Sequence, residues 1–205
     1  MILAPSLVRE AEERFGVPLL LPLAADLDQR EMELVAGSMR KSRNHDITLF
    51  IVEGDELVVI RKPMFPPGAF RAPSGGVHAG ETLEEGALRE GLEETGLRLQ
   101  LERYLLRISA LFRPREPWPG EGSLPPGVAD PDDPALLRWF THVFLTRVRG
   151  ERRLDPRDTR EIAEARWVTF DELQGPIRGT LLSSGGGLFR YRVALTDATV
   201  ALLGR

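Results

Sequence analysis

The sequence predicts an α/β fold, and three observations carry that expectation. Strand-like text and helix-like text alternate along the chain without a regular repeat, which argues against a solenoid. Two β-rich segments, ITLFIVEG and ELVVIRK, flank the turn Gly54-Asp55, a hairpin signal. A third, RWFTHVFLTRVRG, alternates with Trp139, Thr141, Val143, Leu145 and Arg147 on one side and Phe140, His142, Phe144 and Thr146 on the other. At 205 residues, 42% hydrophobic and 28% charged, the chain can bury one substantial core and leaves room for an extension.

The elements follow in order. Residues 1–44 read as a helical extension, two helices around VPLLLPL, with Leu7, Ala11 and Phe15 on one stripe and Met32, Val35 and Met39 on another. These helices offer either a homodimer surface or a lid over a site. The main domain is then expected over 45–205. Its hairpin ends at Pro63, Pro66, Pro67 and Gly68. Thr82 and Glu85 have the spacing of a capping box, so a helix should start near Thr82, and Gly96 suits the left-handed residue that stops it. RLQLERYLLRISALF reads as one or two strands. The proline-rich stretch 113–134 is a long loop, either lining a site or forming a surface insertion. ARWVTF is a further strand, a short helix begins at Asp171, and Tyr191 to Leu203 closes the chain as a helix.

Composition narrows the function classes. A net charge of −4 leaves no basic footprint for duplex nucleic acid or an anionic membrane. The absence of cysteine excludes disulfides, thiol nucleophiles and cysteine-ligated zinc, and fits the reducing cytoplasm. VPLLLPLAA is too short to span a bilayer and follows an acidic start, unlike a signal peptide. Of the 27 basic residues only Lys41 and Lys62 are lysine.

The acidic helix is the informative stretch. Glu90, Glu93 and Glu94 stand at i, i+3 and i+4, so their carboxylates share one face. Like charges so placed cost an isolated helix roughly 0.2–0.5 kcal/mol per pair. A solvated face tolerates that cost; a hard divalent cation offsets it, since Mg²⁺ takes oxygen ligands from a few carboxylates and substrate phosphates. Gly75-Gly76 ahead of the helix allow backbone to approach a metal or a phosphate.

From Gly75 through Glu81, Arg89-Glu90 and Glu93-Glu94 to Gly96-Leu97, the spacing resembles the Nudix box throughout. The resemblance implies a Nudix-type α/β/α sandwich with a mixed sheet. It also implies Mg²⁺- or Mn²⁺-dependent hydrolysis of a nucleoside diphosphate linked to another group: ADP-ribose, a nucleotide sugar or a dinucleotide ahead of a nucleoside triphosphate. A nucleotide-sensing module that binds without turnover is the alternative outside enzymes. Residue by residue, Glu90, Glu93, Glu94 and the Gly75 carbonyl are implied metal ligands, Arg89 orients the carboxylates, and Glu81 supports that network. Glu93 is the candidate base within the box, and Glu161 or Glu164 can supply a carboxylate from a loop. Gly76, His78 and Trp118 are candidate substrate contacts. Pro117, Trp118, Pro119 and Ser123 match part of a proline-tryptophan-proline signature of Nudix enzymes acting on NADH, and Pro114 lies near a proline of ADP-ribose-type members. Gly91 departs from the box, where an aliphatic residue is usual, and Leu88 and Leu92 are expected to repack around it. His142 reads as a structural histidine.

Overall fold

In a computed structural model the described residues are 3–41, 43–116 and 136–205. Their backbone organises around a seven-stranded mixed sheet ordered β1-β5-β6-β2-β3-β7, with β4 paired to β2 beside that path. The strands are β1 (Leu19–Leu27), β2 (His45–Glu53), β3 (Glu56–Arg61), β4 (Ser74–Gly76), β5 (Leu99–Pro114), β6 (Leu137–Val148) and β7 (Glu164–Thr169). Helices α1 (Pro5–Phe15) and α3 (Leu83–Thr95) cover one face. Helices α2 (Gln29–Arg40) and α6 (Gly187–Leu202) cover the other, together with short α4 (Phe170–Glu172), a π-helical turn at Leu173–Ile177 and α5 (Arg178–Ser183). The result is the α/β/α sandwich expected from the sequence. Among the described residues no helix is long and apolar enough to cross a membrane.

The two cores follow from strand alternation. Ile47, Leu49 and Ile51 of β2 point to the α1/α3 face with Phe144, Leu99 and Leu83. Phe50 and Val143 point to the opposite face with Met32, Phe112 and Val193. β2 parts from its hairpin partner early: it pairs with β3 only at Val52 and Glu53, and with β4 at Asp46, Ile47 and Thr48. That divergence makes room for the short strand that carries Gly75 and Gly76.

The N-terminal segment differs from the expected helical extension. Both helices form, but the text between them is a strand: β1 runs parallel to β5 from Leu19 against Leu106 to Leu27 against Pro114. The run is too apolar to be left as a linker, and Leu21, Leu23, Ala25 and Leu27 join the core. Pro22 is tolerated because an edge strand leaves half of its N–H groups without a ladder partner. Glu31 then ties this segment to the far end of the chain. It completes a capping box with Asp28 at α2 and also accepts the N–H groups of Gly187 (3.0 Å) and Leu188 (2.9 Å) at the start of α6.

The expectations for α3 hold at its ends. Thr82 and Glu85 form the reciprocal capping box, and Gly96 sits at φ +77°. The repacking around Gly91 differs from the expectation. A Cβ there would lie 2.3 Å from Leu99 Cδ1 and 3.3 Å from Leu49 Cδ1, so Leu99 of β5 and Leu49 of β2 occupy the space of the missing side chain. RLQLERYLLRISALF becomes a single strand, β5, and the closing helix starts four residues earlier than the sequence suggests, because Glu31 caps it at Gly187. Much of the 113–134 loop, Trp118 included, lies outside the described residues.

Gly96 also meets the loop ahead of β7: a Cβ would lie 2.2 Å from the Asp155 carbonyl oxygen. Asp155 N–H donates to Thr95 O, and Arg157 and Asp158 N–H groups both donate to Glu93 O, so this loop closes the C-terminal end of α3. Gly96→Ala combines positive φ with a backbone collision that no rotamer relieves. It is expected to cost about 2 kcal/mol or more and to lower the thermal midpoint by roughly 4–8 °C, read by calorimetry against wild type.

Candidate active site

The site is built where β4 passes under α3. Gly75 permits it: a Cβ at that position would lie 1.9 Å from the Glu90 carboxyl carbon, so only glycine lets this carboxylate rest on the strand. Glu90 is buried there on the face of α3 turned toward the sheet.

Arg89 organises the carboxylates around it. Its Nε donates to Glu81 Oε1 (2.6 Å) and its Nη2 to Glu81 Oε2 (2.9 Å), a bidentate pair. Nη1 donates to Glu90 Oε1 (2.7 Å) and Glu93 Oε2 (3.1 Å), and Nη2 also donates to the Gly76 carbonyl (2.9 Å). All five N–H groups of the guanidinium are used. The Arg89 hydrogen bonds hold the Glu81 carboxyl far below its usual range, at about 2, against the opposing effect of burial. Arg89 itself is pushed further up by the same contacts, Glu81 first.

Glu94 turns the other way. It accepts from the Ser74 N–H (2.7 Å) and from Arg71 Nη2 (3.3 Å), and both side chains of this ion pair are buried. Arg71 also donates to Ala72 O (2.8 Å) and Ser74 Oγ (2.7 Å), and the same Oγ accepts from Arg192 Nη1 of α6 (3.2 Å). Burial raises the Glu94 carboxyl to about 7, although Arg71 and then Lys62 favour its charged form. Asp46, paired across β2 with Gly76, is raised by burial to about 6 with Arg192 and Arg71 opposing.

The predicted residues therefore divide into two groups instead of one face. Arg89 gathers Glu81, Glu90 and Glu93 beside Gly75 and Gly76, while Arg71 holds Glu94 behind Ser74. Among the described residues no three acidic or imidazole side chains converge at ion-binding distance; arginines take the contacts. The donors are nonetheless all hard oxygens, with a carboxylate lying on the bare backbone of Gly75, a set that suits a hard divalent cation. His78 is exposed and contributes through its backbone, donating to Glu81 Oε2 (2.8 Å). Glu161 accepts from Lys62 Nζ (2.7 Å) and is otherwise open to solvent. Glu164 pairs with Arg61 on the sheet edge. His142 is buried between Tyr104 and His45, hydrogen-bonded to both, and burial depresses its basicity.

Nothing in the sequence marks Arg71, Lys62, Asp46 or Arg192 for the site. Arg71 lies only four residues before Gly75, the nearest thing to a local signal. Arg192 is 118 residues from Ser74, and nothing near it in sequence points there.

Comparison with known proteins bears on the family of the chain. A NUDIX domain profile matches residues 42–183. The NAD-capped RNA hydrolase NudC of Chromobacterium violaceum is 38% identical over 164 residues, covering 79% of this chain and 52% of that protein. Human NAD-capped RNA hydrolase NUDT12 is 29% identical over 121 residues, 59% of this chain and 21% of its own length. The chain thus spans about half or less of the length of these relatives. Among solved structures, a NUDIX hydrolase from Nitrosomonas europaea aligns with a TM-score of 0.44 at 20% identity, covering 65% of this chain and 77% of that one. With the box residues assembled on β4 and α3 and the profile spanning most of the chain, the protein belongs to the Nudix family.

Proposed function

We propose that the protein hydrolyses the diphosphate linkage of a nucleoside diphosphate derivative with the help of Mg²⁺ or Mn²⁺, with dinucleotide and ADP-ribose-type compounds as the favoured substrates. The observation that carries this reading is the packing of Glu90 on Gly75 while Arg89 draws Glu81 and Glu93 alongside. The names of the relatives, NAD-capped RNA hydrolases, support the dinucleotide preference.

In this reading Glu90, Glu93, Glu94 and the Gly75 carbonyl would hold the cation, which would draw Glu94 round to join the carboxylates gathered by Arg89. Bound there, it supplies positive charge for the diphosphate and lowers the pKa of water. Arg89 has no spare donor, so it acts by orienting carboxylates, and Glu81 acts by anchoring Arg89. In the same reading the half-exposed carboxylate of Glu93 accepts a proton from an attacking water, and Glu161 is the loop carboxylate that could take the same task. Arg71 keeps Glu94 at the site while burial resists its ionisation. The exposed His78 ring is assigned to the nucleoside side of the substrate, as is Trp118 from its sequence context alone, and Gly76 lets that substrate approach the backbone closely.

The direct test is incubation with Mg²⁺ or Mn²⁺ and ADP-ribose, NADH, NAD-capped RNA, nucleotide sugars or nucleoside triphosphates, with products resolved by chromatography. Two monophosphates from a diphosphate bear the proposal out. Release of pyrophosphate from triphosphates alone replaces it with a triphosphatase, and metal-dependent binding without cleavage replaces it with a sensor. Glu93→Gln, on an exposed side chain, should keep the fold by circular dichroism and lower kcat by roughly 100-fold or more; an unchanged rate removes Glu93 from the site. Because Glu94 lies near 7 before a cation binds, its proton must leave when it becomes a ligand. Mn²⁺ binding should therefore release about one proton at pH 6 and progressively less above pH 7, with affinity rising over that interval. Titration calorimetry in two buffers of different ionisation enthalpy reads this, and equal heats at pH 6 would remove Glu94 from the ligand set.

A further inference from the structure

Lys62 is one of two lysines among 27 basic residues, and its ammonium lies at the seam between β3 and the loop ahead of β7. It follows β3 directly. There the Ala163 N–H donates to the Arg61 carbonyl (2.9 Å), which brings the start of β7 beside the end of β3. Across that seam Lys62 Nζ donates to Glu161 Oε2 at 2.7 Å over a separation of 99 residues.

The backbone of the loop is fixed independently. Arg157 and Asp158 N–H groups bond the Glu93 carbonyl, and Asp158 turns the chain toward Glu161 and Ile162. The Glu161 side chain has no such constraint. It is 61% exposed, and among the described residues Lys62 is the side chain that bonds it. An exposed carboxylate with no other tie is free to take rotamers that carry it outward into water. An ammonium on a flexible stem opposite it favours the rotamer that closes the pair.

We propose that Lys62 is a positioning residue whose ammonium holds the Glu161 carboxylate at the junction of β3 and the loop ahead of β7. For its consequence in turnover the inference rests on the hydrolase reading above; for the placement of Glu161 it does not.

The test compares wild type, Lys62→Met, Lys62→Arg, Glu161→Gln and the double variant Lys62→Met/Glu161→Gln. Metal-free crystal structures of Lys62→Met and Lys62→Arg read placement directly. The Glu161 carboxylate should swing to solvent in the first and stay in the second, and a carboxylate that keeps its place in Lys62→Met overturns the proposal. With ADP-ribose and Mg²⁺, Lys62→Met should lower kcat by roughly 10- to 100-fold at little-changed KM, with most of the loss recovered in Lys62→Arg. The double variant should be no slower than Glu161→Gln alone. Losses that add instead mean that Lys62 does not act through Glu161, which also overturns the proposal. A wild-type protein that cleaves none of the offered compounds would sink the hydrolase reading, and the crystal comparison would still decide the role of Lys62.

Discussion

The saturation of Arg89 is the constraint on which the rest of the site depends. A guanidinium offers five N–H groups in a rigid plane, and here Glu81, Glu90, Glu93 and the Gly76 carbonyl take all of them. The plane therefore fixes the approach of β4 to α3 and three carboxylates in one step. Gly75 follows from it, because the Glu90 carboxylate held by Arg89 fills the volume where a Cβ would stand. Glu81 follows as well, since its two oxygens lock the plane from the loop that precedes the helix.

Around that centre the fold gathers cations from separate parts of the chain. Arg71 comes from the segment before β4, Lys62 from the end of β3 and Arg192 from α6. Arg71 and Lys62 each pair with a carboxylate, Glu94 and Glu161, and Arg192 bonds the Ser74 hydroxyl. The site is thus a set of charges balanced by local partners, with Glu94, the most deeply buried acid of the box, raised by burial to about 7.

Much of this was legible in the sequence where the determinants are local. Thr82 with Glu85, Gly96 and the Gly54 turn each act within a few residues, and each appears as read. β1 was missed because LLLPLAADL has neither clean alternation nor a typical strand composition, and its pairing with β5 is a tertiary fact about an open sheet edge. Compensation at Gly91 was sought on its own helix, where neighbours are visible in sequence, but the space is filled by Leu99 and Leu49 of the sheet. The glutamates were expected to converge because helical spacing reports backbone direction. It does not report that two arginines from different segments would divide them. Arg71 and Arg192 are two among many arginines, and no periodicity marks the two that turn inward.

Glu31 has a consequence for the order in which the molecule can be assembled. It caps α2 and also the first N–H groups of α6, a bond across 156 residues. During synthesis the N-terminal helix emerges early but cannot make this contact until residue 187 has left the ribosome. The same late helix brings Arg192 to Ser74. The tie from Glu31 to this helix and the bond from Arg192 to Ser74 therefore form only once it exists, and a chain released before it would lack both together.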